Sequence, residues 1–193
     1  MDEIDEVTLA RARRGDRPAQ GAVVRCYERR VFALISRIWV GRDKSRVDDL
    51  AQETFMKVLR GLPGFQPGGL ARLSTWVLTI ATRVAIDGLR HERVRTKAGE
   101  ESGSGTEAIA GAKALGGARD GLAAIEARDG FRQIERAMAG LDADFRAALV
   151  LRAFHDLDYA EIAVALGVEE GTVKSRIARA RAALRAALGE EGP

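Results

Sequence analysis

Between residues 171 and 188 the chain spaces cationic and hydroxyl side chains as Thr172, Lys174, Ser175, Arg176, Arg179, Arg181 and Arg185, with no carboxylate among them. Lys and Arg stay protonated at neutral pH and only donate, so this set is suited to neutralising phosphates and donating to base edges. A second basic run, Arg83, Arg90, Arg93, Arg95 and Lys97, is opposed only by Asp87 and Glu92, whereas residues 1–6 hold four acids and no base. The whole chain has 31 Lys and Arg against 28 Asp and Glu, a formal charge of +3. The charge is concentrated rather than abundant. Two separated basic segments point to two contacts with a polyanion, although composition alone fits two solvated helix faces equally well.

Other chemistries find little support. One cysteine, Cys26, and two histidines, His91 and His155, are scattered along the sequence. That excludes an intramolecular disulfide and leaves too few Cys and His for a zinc site of the usual kind. Cys26 lies in an apolar-periodic run and is expected to be a buried, inert thiol. His155, beside Asp156 and Asp158, reads as a surface or cap histidine. No glycine-rich phosphate loop follows a strand, no Ser/His/Asp set stands in a plausible frame, and no cofactor or metal motif is present. The chain is therefore expected not to be an enzyme and to need no cofactor. No run of eighteen apolar residues exists and the acidic N-terminus lacks an apolar signal core, so membrane insertion is not expected and a cytoplasmic location is the default.

The elements that must carry these side chains are helical. Residues 98–121 contain seven glycines and six alanines in 24 positions, whereas the other 169 residues contain fourteen glycines. Such a stretch cannot bury a core and reads as a flexible linker. The expected architecture is all-α: an N-terminal helical bundle, 1–97, and a C-terminal helix-turn-helix domain, 122–193. Asp16 and Pro18 open a helix carrying Val23, Val24, Tyr27, Val31, Leu34, Ile35 and Ile38 as far as Gly41. A second starts near Asp48 and stops at Gly61 and Pro63. Residues 62–69 form a loop, and a third helix runs from an N-cap at Ser74 to about Arg95. In the second module, helices are expected over about 122–139, after Asp142, over 158–166 and over 170–188.

Residues 158–181 are the most specific local pattern. Asp158 with Glu161 fits a capping box, and Gly167 supplies the left-handed residue of a turn. The following helix turns Val173, Ile177, Leu184 and Leu188 inward. Together these make a helix-turn-helix with Lys174, Ser175, Ala178, Arg179 and Arg181 facing outward. Lys174, Ser175 and Arg179 could then reach base edges, and Thr172, Arg176 and Arg181 phosphates. Arg152, on the preceding helix, joins the same DNA-facing set. The alternative is an ordinary helical hairpin with a basic face.

Residues 157–181 together, LDYAEIAVALGVEEGTVKSRIARAR, resemble region 4 of the sigma-70 family in its extracytoplasmic-function (ECF) group. The first module carries the matching half. Residues 48–58, DDLAQETFMKV, resemble the segment that binds RNA polymerase, and residues 76–90, WVLTIATRVAIDGLR, resemble the promoter-melting helix. The resemblance spans nearly the whole chain. It implies a factor that binds core RNA polymerase, directs it to promoters, opens the DNA near the start site and is held in check by an anti-sigma factor. On the first helix Asp49, Gln52, Glu53, Met56 and Lys57 would meet the clamp coiled coil of the polymerase. Phe65, Gln66 and Leu73 would form a pocket for a base of the −10 element, with Arg72, Arg83, Arg90 and Arg93 along the backbone. Trp76 fits core packing as well as DNA contact. Leu73 stands where the family often has an aromatic, and Thr82-Arg83 replaces a more usual Arg-Asn pair, which leaves the captured base open.

The linker passes a length test. The −35 and −10 elements lie roughly 25 bp or about 80 Å apart, and 24 residues extend to at most ~80 Å. The linker alone does not set the relative position of the modules. The main competing reading is a conventional helix-turn-helix regulator acting on duplex DNA without polymerase. A protein-only adaptor is disfavoured by the five unopposed bases of residues 171–188.

Overall fold

In a computed structural model, residues 3–43, 45–68, 72–100 and 121–189 are described, with side chains other than those of 96–100 and 121–129. The expected linker falls largely on 101–120, outside the described residues. Among the described residues eight α-helices follow in order: α1 (Glu6–Arg13), α2 (Arg17–Ile38), α3 (Ser45–Gly61), α4 (Leu73–Glu100), α5 (Gly121–Gly140), α6 (Ala143–Phe154), α7 (Tyr159–Leu166) and α8 (Glu170–Leu188). A 3₁₀ turn, Leu62–Gly64, follows α3.

Local chemistry sets most of the boundaries. The Asp16 side chain accepts from the Ala19 amide and Pro18 occupies the first turn of α2. In α7 both halves of the capping box form: the Asp158 side chain accepts from the Glu161 amide at 2.8 Å and the Glu161 side chain from the Asp158 amide at 3.0 Å. Gly167 closes that helix at φ +66°. Other elements depart from expectation. The helix α1 has no counterpart in the sequence reading; its Asp5 cap and the burial of Leu9 and Ala12 against the core hold it. Ser74 is not a cap, since α4 already includes Leu73, and α4 runs on to Glu100, past the expected end near Arg95.

The first module packs α2, α3 and α4 around Tyr27, Leu34, Ile38, Trp39, Leu50, Val58, Val77 and Leu78. Trp39 is pinned by a hydrogen bond from its Nε1 to the Ala85 carbonyl at 3.1 Å. A Cβ at Gly88 would lie 2.9 Å from Cζ2 of that ring and 3.0 Å from Leu50 Cδ2, so the absent side chain is what lets α4 approach this closely. The second module buries Ala147, Val150, Leu151, Ile162, Val173, Ile177 and Ala180 among α6, α7 and α8.

The modules also pack directly on each other, a relationship that the sequence reading left unset. Helix α7 lies against α4, and α6 against both α2 and α4. Arg146 on α6 is buried, donating to the Ile38 carbonyl at the end of α2 and to the Ala139 and Leu141 carbonyls at 2.9 and 2.8 Å. Carbonyls at helix ends lack intrahelical donors, so one guanidinium supplies three of them.

Candidate nucleic-acid and polymerase interfaces

On α8 the inward set is close to that expected. Val173, Ile177 and Ala180 are buried, and Leu184 and Leu188 are half-buried. Lys174, Ser175, Ala178, Arg179 and Arg181 are exposed on the opposite side. The face therefore presents cations with no carboxylate from 171 to 188, the one acid of the helix being Glu170 in its first turn. The Lys174 ammonium sits 5.5 Å from the Tyr159 ring centre, and the Ser175 hydroxyl donates to the Thr172 carbonyl at 2.9 Å. Two residues grouped with this face are otherwise engaged. Arg176 pairs with Asp144 at 3.1 Å, and Arg152 donates to the Leu157 carbonyl at 3.0 Å while lying over Tyr159.

The α4 side differs more. Gln66, Arg72, Arg83, Arg90 and Arg93 are exposed, but Phe65 and Leu73 are buried. Phe65 packs on Trp76 with ring centres 5.2 Å apart, and Trp76 is half-buried beneath Gly61. The expected pocket of Phe65, Gln66 and Leu73 is thus closed here, because two of its apolar members are drawn into the core. Arg83 points its guanidinium at the Val164 and Ala165 carbonyls, each at 3.4 Å, and Arg90 lies 3.7 Å from both Asp87 and Asp144.

On α3, Asp49, Gln52, Met56 and Lys57 are exposed and Glu53 is half-buried. Asp49 pairs with Arg46 at 3.1 Å and Glu53 with Lys57 at 2.8 Å. Beside them runs an open groove of about 400 Å³ lined by Val24, Glu28, Phe32, Ala51, Gln52, Phe55, Met56 and Leu59. Phe32 and Met56 are 38% and 51% exposed. Phe32 was missed in the sequence, where it falls between the apolar positions of α2; an aromatic out of phase with its helix stripe was the available signal.

His155 is the C-cap of α6 and is buried rather than superficial, with Nε2 lacking a partner. Burial, with Arg37 and Arg30 nearby, pushes its pKa down to about 4. Cys26 is half-buried. Among the described residues no cluster of three or more metal-ligating side chains occurs, and no helix is long and apolar enough to cross a membrane.

Two helical modules, the second a helix-turn-helix with a one-sided basic helix, define the class of protein. Residues 23–95 match the family model for sigma-70 region 2 and residues 131–184 that for sigma-70 region 4. The chain is 32% identical over 186 residues to the RNA polymerase sigma-H factor of Pseudomonas aeruginosa, covering 96% of this chain and 94% of that one. It is 33% identical over 190 residues to the ECF RNA polymerase sigma-E factor of Escherichia coli (strain K12), covering 93% and 92%. Its fold is similar to that of the sigma factor RpoE of Bartonella quintana, solved in complex with the anti-sigma factor NepR, at a TM-score of 0.67 and 24% identity over 89% of this chain and 98% of that one. The chain belongs to the sigma-70 family, as an ECF RNA polymerase sigma factor. It is accordingly a polymerase-binding initiation factor rather than a regulator acting alone on duplex DNA.

Proposed function

We propose a division of labour along the chain. The 1–97 module binds core polymerase and opens the −10 element, the 122–193 module reads the −35 element, and residues 98–121 join the two. The observation that carries this is the exposed α8 face, where Lys174, Ser175, Ala178, Arg179 and Arg181 stand outward on a helix without an acid from 171 to 188. A helix of that kind in the major groove can place Lys174, Ser175 and Arg179 at base edges, while Thr172, Arg176, Arg181 and Arg152 meet the phosphates.

The groove between α2 and α3 supports a protein contact. Its lining is mostly apolar, with Glu28 and Gln52 as its polar members and Met56 as an adaptable side chain, and Asp49, Glu53 and Lys57 stand on the same helix α3. Apolar centre and polar rim are the anatomy of a protein interface. The occupant is the clamp coiled coil of the polymerase.

At the −10 element Arg72, Arg83, Arg90 and Arg93 follow the backbone. A base is received beside Gln66 once Phe65, Leu73 and Trp76 rearrange, because an unstacked base needs an apolar or aromatic surface to rest on. The polymerase performs the chemistry; this chain is not itself an enzyme and takes no cofactor. It works in the cytoplasm under the control of an anti-sigma factor. Run-off transcription with core polymerase, with and without the protein, tests the reading. Promoter-specific transcripts only in its presence are expected, and transcripts indifferent to it would refute the proposal.

A further inference from the structure

Where the connection between α2 and α3 meets α4 and the start of α6 there is a cavity of about 390 Å³. Its size lies within the span of small-molecule sites, about 300–1,000 Å³. Four arginines line it: Arg42 from the connection, Arg90 and Arg93 from α4, and Arg146 from α6. Asp142 is the carboxylate of the lining. The connection is fitted closely to the end of α5, since a Cβ at Gly41 would lie 3.4 Å from that of Ala139.

Four guanidiniums around one cavity repel one another, and their protein partners cancel only part of the charge. Arg42 pairs with Glu92. Arg90 stands 3.7 Å from both Asp87 and Asp144, and Asp144 is nearer to Arg176, at 3.1 Å. No carboxylate among the described residues pairs with Arg93 or Arg146. Arg146 is only 3% exposed; its terminal nitrogens go to the Ile38, Ala139 and Leu141 carbonyls, and its Nε has no partner. Carbonyls satisfy N–H groups without neutralising the cation, and a buried charge in that state is costly until an anion reaches it. Burial first, and then the charge of Arg42, push the Arg146 pKa down, with Asp142 acting the other way. The first turn of α6 adds the positive end of a helix dipole, with Ala143 in the lining.

These features select an anion of high charge. Guanidinium forks match phosphate oxygens two at a time, and four forks offer more donors than a single phosphate accepts. The apolar members, Leu89 and Leu141 among them, include no aromatic ring to stack a base. We propose that this cavity binds a small free polyphosphate, inorganic or the di- or triphosphate group of a nucleotide, through Arg42, Arg90, Arg93 and Arg146, and that it reads the phosphates and not the base. A nucleic-acid strand is the competing source of phosphate, because Arg90 and Arg93 are assigned above to the −10 backbone. Arg42 has no part in that assignment and separates the two.

The test is isothermal titration calorimetry of the full chain with sodium tripolyphosphate, at an ionic strength held at about 150 mM so that exposed charges are screened alike throughout. Saturable binding at one site is expected, with ATP and GTP within about threefold of tripolyphosphate, since the phosphates carry the contacts. Arg42→Gln and Arg93→Gln should each weaken binding roughly tenfold. Arg29→Gln, an exposed cation of α2 outside the cavity, should leave it unchanged. Asp142→Asn keeps an N-cap for α6 and removes the carboxylate of the lining, so affinity should rise about threefold. This arm has the opposite sign and stands even if an arginine variant folds poorly, which circular dichroism would reveal. Affinity for a mixed-sequence single-stranded 20-mer should change by less than about twofold in Arg42→Gln. Absence of saturable tripolyphosphate binding, or binding indifferent to Arg42→Gln, Arg93→Gln and Asp142→Asn, overturns the proposal. Equal losses of tripolyphosphate and oligonucleotide affinity in Arg42→Gln give the cavity to a nucleic-acid strand and overturn it as well. A preference above about tenfold for ATP or GTP over the other overturns recognition by phosphate alone.

Discussion

Gly88 permits a test in which the sign of a stability change is set by tertiary structure. Replacing a helix-interior glycine by alanine ordinarily stabilises by about 1 kcal/mol, since glycine loses more backbone freedom on folding. At Gly88 the new Cβ would sit 2.9 Å from Trp39 Cζ2 and 3.0 Å from Leu50 Cδ2. The leucine methyl can turn away. The indole cannot, because its Nε1 is tied to the Ala85 carbonyl at 3.1 Å and the ring is only 2% exposed. Overpacking of this kind costs roughly 1–3 kcal/mol, and the pinned ring places Gly88 in the upper half of that range. Gly88→Ala should therefore destabilise by about 1–2 kcal/mol after the helical gain is subtracted. Gly130→Ala provides the control, because its Cβ meets nothing within 4 Å and should stabilise by about 1 kcal/mol. Urea unfolding followed by tryptophan fluorescence and far-ultraviolet dichroism reads both. With a slope of about 2 kcal/mol per M, Gly88→Ala should lower the midpoint by roughly 0.5–1 M. A midpoint that rises for both variants would refute the account of how α4 meets α2 and α3, and with it the placement of Arg90 and Arg93.

Charge reversal at Asp49 and Glu53 should weaken binding to core polymerase by about tenfold or more without loss of helical content; unaltered affinity in the folded variant, measured by fluorescence anisotropy, would remove α3 from the interface. Arg179→Ala should lose about 1–3 kcal/mol of discrimination at one or two upstream positions, whereas Arg181→Ala should weaken all upstream sequences alike, as read by transcription from duplex and pre-melted templates. His155 is buried neutral with its pKa pushed down to about 4, so between that value and its unfolded value of about 6.5 the unfolded chain binds more protons. Stability contributed by His155 is complete above that window and falls as the pH drops through it. His155→Asn should flatten the slope, and equal pH profiles for the two proteins, measured as urea midpoints from pH 7 to pH 4, would contradict its burial as a neutral ring.

Much of this protein is legible one turn at a time. The capping box of Asp158 and Glu161, the left-handed Gly167 and the one-sided charge of α8 depend on neighbours three or four residues away, so the sequence determined them by itself, along with the helix-turn-helix and the Asp16 cap. The apolar period of α2 likewise named its buried face. Tertiary structure decided what depends on distant partners. Leu9 and Ala12 acquire a core only when α2 arrives, and Phe65 and Leu73 are drawn inward only because Trp76 and the core are there to receive them. His155 is buried with Arg30 and Arg37 of α2, remote in the chain, nearby. The meeting of Arg90, Asp144 and Arg176 joins three helices that no period or cap relates. Local signals are set by the fixed geometry of the helix backbone, whereas the closed packing of the two modules is a balance of burial and charge between surfaces, and that balance exists only once both are folded.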